Sequence, residues 1–252
     1  MRRGVLAGIL GAVMMGFGRR ASAAPVAETG LPYPHVTVPG SQALATWERL
    51  RREGKGWPVV VGGDDALAML AELYEGAADA GSAAVLAAAD AVQLPRDLQK
   101  HFDDEYGDDS VPPPLGEWPA PGAGEKMALT IATDILTGKP LDRVHILLVP
   151  AADGSEVPAY LHWGAWNACP GPELHVALLR RWQARYGVEL VGLSGDTMNL
   201  RVAKRPATRD EALDLAREHY LYCSDIVDQG TEALAPLAAS LMDSDWWFFW
   251  WD

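Results

Sequence analysis

Apolar positions along the chain fall into short blocks, and their spacing switches repeatedly between strand-like and helix-like periods. Val36-Thr37-Val38 predicts a short strand. Ser41 then serves as N-cap for a helix through Trp47 and Leu50, closed by Gly54. Pro58–Val61 is an apolar run ending at Gly62-Gly63, with a helix from about Asp65 to Tyr74 behind it. That Gly-Gly turn lacks the Lys and Ser/Thr of a phosphate loop, and Asp64 and Asp65 would repel phosphate. Ala77–Val92 is Ala-rich and reads as helix.

His101–Gly124 interrupts this pattern with an acidic cluster followed by VPPPLGEWPAPGAG. Proline at that density joins neither a helix interior nor a central strand, so the stretch reads as a semi-rigid connector. Beyond it, Glu125–Leu136 predicts a helix and Val144–Val149 a strand. Asp153-Gly154 is a hairpin signal, with Val157–Trp163 as the returning strand. Glu173–Tyr186 places Leu174, Leu178, Trp182 and Tyr186 on one helical stripe, with Gly187 as its stop. Val188–Leu193 and Met198–Ala203 flank a turn at Ser194-Gly195-Asp196-Thr197. Thr208–Glu211 is a capping box opening a helix that buries Ala212, Ala216, Tyr220 and Cys223. A last helix, Thr231–Leu241, leads into Trp246-Trp247-Phe248-Phe249-Trp250-Trp251-Asp252.

Hairpins mixed with long helices predict an α+β fold: a C-terminal antiparallel sheet with packed helices, preceded by a small α/β unit. The expected divisions are a leader at 1–23, an N-terminal unit at 31–106, a connector at 107–124 and a C-terminal domain at 125–252.

The leader is read from Arg2 and Arg3, the uncharged run Gly4–Gly18, and the cleavage-like Ala21-Ser22-Ala23. As a helix that run spans about 22 Å, short of the ~30 Å hydrocarbon core. Arg2-Arg3-Gly4-Val5-Leu6 resembles a twin-arginine export signal, which predicts a periplasmic or secreted protein without a transmembrane span after cleavage. The 252 residues carry 34 Asp+Glu against 21 Lys+Arg, a formal charge of -13. Cleavage removes four arginines and brings it to -17. Such a charge excludes a nucleic-acid backbone as partner and suits a basic protein.

The words Trp163-Gly164-Ala165-Trp166-Asn167-Ala168-Cys169-Pro170, Arg181-Trp182, Arg185-Tyr186-Gly187 and Arg205-Pro206 occur in order. Glu211-Ala212, Glu218, Tyr222-Cys223, Asp225-Ile226-Val227 and Phe249-Trp250-Trp251-Asp252 follow. Together they resemble the bacterial family called domain of unknown function 4253, over roughly Arg143–Asp252. The resemblance implies a fold and carries no activity.

Two cysteines make neither a disulfide scaffold nor a four-thiolate zinc site. Four fates are open to Cys169 and Cys223: buried thiols, a mutual disulfide, a metal site, or a nucleophile at Cys169. The metal reading places His219 and Cys223 at i, i+4, with Cys169 plus His162 or His175 completing the set. A wider candidate pocket gathers His162, Asn167, Cys169, Glu218, Tyr222, Cys223 and Asp225, with Asp228 and Gln229 on the following loop. It forms if the turn at Asn167 meets the end of the helix at Cys223. No nucleophile elbow, phosphate loop or dinucleotide fingerprint is present, and no cofactor is called for. Trp246–Trp251 reads either as a core-sealing terminal strand or as an exposed stacking platform.

These features predict an exported, non-catalytic binding module. The alternatives are a hydrolase-like enzyme using the candidate pocket and, more weakly supported, a glycan binder using exposed tryptophans. The export reading is tested by fusing residues 1–30 to a reporter that folds before translocation. Export through the twin-arginine route is expected, and Arg2→Lys with Arg3→Lys should block it. A reporter that stays cytoplasmic in both forms would refute the leader.

Overall fold

The computed structural model describes residues 30–77, 81–107, 111–120 and 128–252. The leader, Asp108 and Asp109, and the opening of the helix expected over Glu125–Leu136 lie outside these residues. The fold is α+β, with helices packed on one mostly antiparallel sheet of six strands.

In chain order the strands are β1 (His35–Val38), β2 (Trp57–Gly62), β3 (Val144–Val149), β4 (Glu189–Leu193), β5 (Thr197–Arg201) and β6 (Trp246–Trp250). Their spatial order is β1-β3-β2-β4-β5-β6. β2 pairs antiparallel with β3 along one edge and parallel with β4 along the other. The segment before the connector therefore supplies two strands of the same sheet, one of them central. β2 is buried at every residue, which is why Trp57–Gly62 reads as continuous apolar sequence instead of an alternation.

The helices are α1 (Ala43–Glu53), α2 (Asp64–Gly76), α3 (Ser82–Ala91), α4 (Arg96–Tyr106), α5 (Val157–Leu161), α6 (Pro172–Tyr186), α7 (Arg209–Tyr222) and α8 (Leu234–Asp243). Gly54 and Gly187 close α1 and α6 in the left-handed conformation, where a side chain would be strained. Thr208 Oγ1 accepts from the Glu211 N–H at 3.2 Å, so the cap of α7 forms as read.

Four elements differ from expectation. A 3₁₀ turn, Gly40–Gln42, precedes α1, so Ser41 is not its cap. The Asp153-Gly154 hairpin is absent: Asp153 caps a 3₁₀ turn through the Ser155 N–H, and α5 replaces the returning strand. Pro158 explains this, since it has no N–H for a ladder and its fixed φ suits a first helical turn. The acidic residues Asp103, Asp104 and Glu105 lie on α4, not on a connector, because Leu98 and Phe102 bury one face at i, i+4. Residues 128–136 make only one 3₁₀ turn, Thr130–Ala132, since Thr133 and Asp134 bond local backbone and side-chain groups in its place.

The connector is docked. Carbonyls of Pro114 and Leu115 accept from the N–H groups of Leu234 and Ala235 at 3.0 and 2.8 Å. They satisfy donors at the start of α8 that the helix itself leaves unpaired.

Indole N–H groups tie distant elements together. Trp57 donates to the Leu190 carbonyl at 2.8 Å, Trp163 to the Ser194 carbonyl at 2.7 Å and Trp182 to Glu218 Oε1 at 2.6 Å. Because β2 bridges β3 and β4, a chain beginning at residue 128 should not fold alone. Its thermal scan should show no cooperative transition, and adding residues 30–120 in trans should restore one. A sharp melt of the short chain by itself would contradict this topology.

Candidate functional site

Two regions gather the residues singled out in the sequence. The first is the turn from Trp163 to Pro170, which packs beside the end of α7. Its backbone reverses through left-handed residues Ala165 (φ 67) and Asn167 (φ 45), and the Ala165 N–H reaches the Pro170 carbonyl at 2.9 Å. This turn faces two ways.

Inward, it starts a buried polar chain. Cys169 Sγ lies 3.4 Å from His175 Nε2, and His175 Nδ1 lies 2.7 Å from the Tyr222 hydroxyl. That hydroxyl also lies 3.7 Å from Met198 Sδ. Every member of this chain is neutral. Burial enforces that state: it pushes the Cys169 thiol and Tyr222 hydroxyl well up and lowers His175 to about 3. The Cys223 thiol, pushed up to about 12 by burial, donates to the Trp250 carbonyl at 2.8 Å. Both cysteines are free, and Cys223 is near enough to add to the upward push on Cys169.

Outward, the same turn forms a clasp. Asn167 Nδ2 donates to the Asp252 carbonyl at 2.9 Å, and the Asp252 N–H donates to Asp225 Oδ2 at 3.1 Å. Gln229 Nε2 donates to Asp225 Oδ1 at 3.0 Å. The structure thus brings Asn167 and Asp225 together at the surface, and Cys169 and Tyr222 together beneath. Glu218 is elsewhere, holding the Trp182 indole and pairing with Arg181 Nε at 3.0 Å. His162 is also apart, with its ring edge-on to Tyr74.

Cys169 is 2% exposed, its thiol is held protonated, and no strongly basic group contacts it. A thiol in that condition is inert as a nucleophile. His219 packs edge-on to Trp182, Trp247 and Phe249. Among the described residues no three His, Cys, Asp or Glu side chains are arranged to hold a metal ion.

The second region is a groove of about 600 Å³ between β6 and α8. The aromatic tail divides by strand alternation. Trp247, Phe249 and Trp251 are buried, with Phe249 stacked on Trp182 at 5.7 Å between ring centroids. Trp246, Phe248 and Trp250 are half-buried and form one wall of the groove. Leu237 and Ser240 of α8 line it as well, as do Ile131 and Asp134. Ile226, Gly230 and Thr231 come from a π-helical turn, Ile226–Thr231, of a type common at functional sites.

Two side chains of the inner wall, His219 and Trp247, are buried yet leave Nε2 and the indole N–H without a hydrogen-bond partner in the protein. Unpaired buried polar atoms are uncommon and costly. The groove was legible only in part: alternation along residues 246–251 was available, whereas the loop 130–138 carried a helical pattern instead.

The family described as Domain of unknown function (DUF4253) matches residues 145–252, in agreement with the resemblance drawn from Arg143–Asp252. No curated protein and no solved structure matches the chain. Both regions above fall largely in the matched segment, while Ile131 and Asp134 of the groove precede it.

His175 and His219 set a pH response. Each has a folded value lowered to about 3 by burial, against an ordinary 6.5. The unfolded chain therefore takes up protons that the folded chain refuses, and stability present above 6.5 falls as pH drops towards 3. Between pH 7 and pH 5 the loss is about 2 kcal/mol per histidine. His219→Leu should reduce the pH 7-to-5 difference in unfolding free energy by about that amount. An unchanged difference, measured by urea titration, would show that His219 is not held neutral.

Proposed function

We propose that this protein is an exported, non-catalytic binding module that holds an apolar group in the groove between β6 and α8. The observation that carries this reading is the groove itself: concave, mostly apolar, and edged by a few placed polar groups. Those are the general properties of ligand sites.

Three half-buried aromatics on one strand face supply large contact area at low conformational cost. They line a groove instead of standing as an open platform, which favours a ligand inserted between β6 and α8 over one laid flat on the surface. Export is supported by the leader pattern in residues 1–27, and no described helix is long and apolar enough to cross a membrane. The formal charge of -13 favours basic over acidic partners.

A neutral solvatochromic dye, Nile red, tests the groove without presupposing charge. Saturable fluorescence enhancement with the native chain is expected. Ser240→Trp, which fills the groove from α8, should weaken binding by at least about tenfold, a difference of about 1.4 kcal/mol. Equal binding by the variant, folded by near-UV circular dichroism, would move the site elsewhere.

A further inference from the structure

We infer that the groove takes an apolar amine, with the hydrocarbon body against Trp246, Phe248 and Trp250 and the protonated amino group at Asp134. This inference rests on the binding-module reading and specifies its ligand.

The hydroxyls of the wall present acceptors, while the indole N–H of Trp247 is buried and out of a ligand's reach. Thr133, Thr231 and Ser240 already donate their hydroxyl protons to carbonyls of Thr130, Ala233 and Leu237. Thr197 donates to Asp196 Oδ1 at 2.8 Å. Each hydroxyl therefore offers lone pairs and no proton to an incoming ligand. A protonated amine is the complementary group, with donors and no acceptor.

The charge of the wall agrees. Asp134 is the one charged residue among its described lining, and no Lys or Arg lines it, although the Asp134 N–H donates to the Lys139 carbonyl at 2.8 Å across the turn. Its Oδ1 accepts from the Thr137 N–H and hydroxyl at 2.7 and 2.8 Å, which holds the carboxyl below its usual range and ionised. His219 is neutral, because burial lowers it to about 3, and so does not offset that charge. An anionic ligand would meet a carboxylate in the groove and a chain of net charge -13 around it.

The rim sets the ligand's shape. The turn that carries Asp134 projects Ile135 and Leu136 into solvent at 93% and 91% exposure. Apolar surface thus flanks the carboxylate on the outside, while the aromatic wall lies within. A cation with a hydrocarbon body meets both, whereas a compact hydrophilic cation gains only the charge.

The test compares hexylamine, hexanol and hexanoate at pH 7, each displacing Nile red from the native chain. Hexylammonium should bind at least about tenfold tighter than hexanol, with hexanoate weakest. Asp134→Asn keeps an oxygen for the Thr137 bonds, and should bring hexylammonium close to the affinity of hexanol. Hexanol binding as tightly as hexylammonium, or hexanoate binding tightest, overturns the amine inference while leaving the groove occupied. Failure of all three to displace bound Nile red also overturns it, and the Ser240→Trp comparison then tells whether the groove reading falls with it.

Discussion

Strand β2 is hydrogen-bonded on both edges, to β3 and β4, and buried on both faces, and the rest of the molecule is arranged around it. A strand in that position has no tolerance for polar side chains, and Val59, Val60 and Val61 are wholly buried. Burial of each such side chain contributes on the order of 2 kcal/mol. Trp57 at its start extends the tie sideways, with its N–H on the Leu190 carbonyl and the Arg51 guanidinium 3.8 Å from its ring centroid. Gly154 packs so closely on the same indole that an added Cβ would lie 2.5 Å from it, so this turn is fitted to the ring. One tryptophan thereby joins the segment before the connector to the domain after it.

The matched family segment begins inside β3, at His145, and contains neither β1 nor β2. Its half of the sheet is therefore completed by strands that precede it in the chain. This is a physical dependence, because β4 would otherwise present an unpaired edge beside an apolar face. The N-terminal segment acts as the sheet's middle as well as a lead-in, and the docked connector fastens it to α8.

Much of this was legible in the residues. Period and capping located α6, β4, β5 and α7, because Gly187 and Thr208 have local physical roles that tertiary packing does not override. The alternation of residues 246–251 foretold two aromatic faces, although the uniform composition of the run hid which three residues were buried. Long-range pairing was not legible, since nothing local distinguishes a strand that pairs with its neighbour from β2, whose partners lie more than eighty residues away. Of the candidate site, Cys169, Tyr222, Asn167 and Asp225 do meet around the same turn. Which of them face solvent depends on the path of residues 250–252, and no spacing rule carries that information. His175, the link between Cys169 and Tyr222, was singled out only as a possible metal ligand beside Cys169, and its bond to Tyr222 had no signal in spacing because α7 lies far along the chain.

The contrast between the two polar regions bears on where function resides. In the buried chain each polar group finds a partner, from Cys169 through His175 and Tyr222 to Met198, so the network is closed. A closed neutral network inside a packed core specifies one arrangement of β5, α6 and α7 and has nothing left to offer a ligand. The wall of the groove is the reverse case, with lone pairs on the hydroxyls of Thr133, Thr197, Thr231 and Ser240 and a carboxylate at the rim. Both regions share β6, whose inner face is sealed against Trp182, Tyr222 and His219 while its outer face stays half open. Rigidity on one side of a strand is what allows the other side to keep a groove from collapsing. The sealed cysteines and histidines are therefore best understood as the support for a binding surface, with the open chemistry one strand face away.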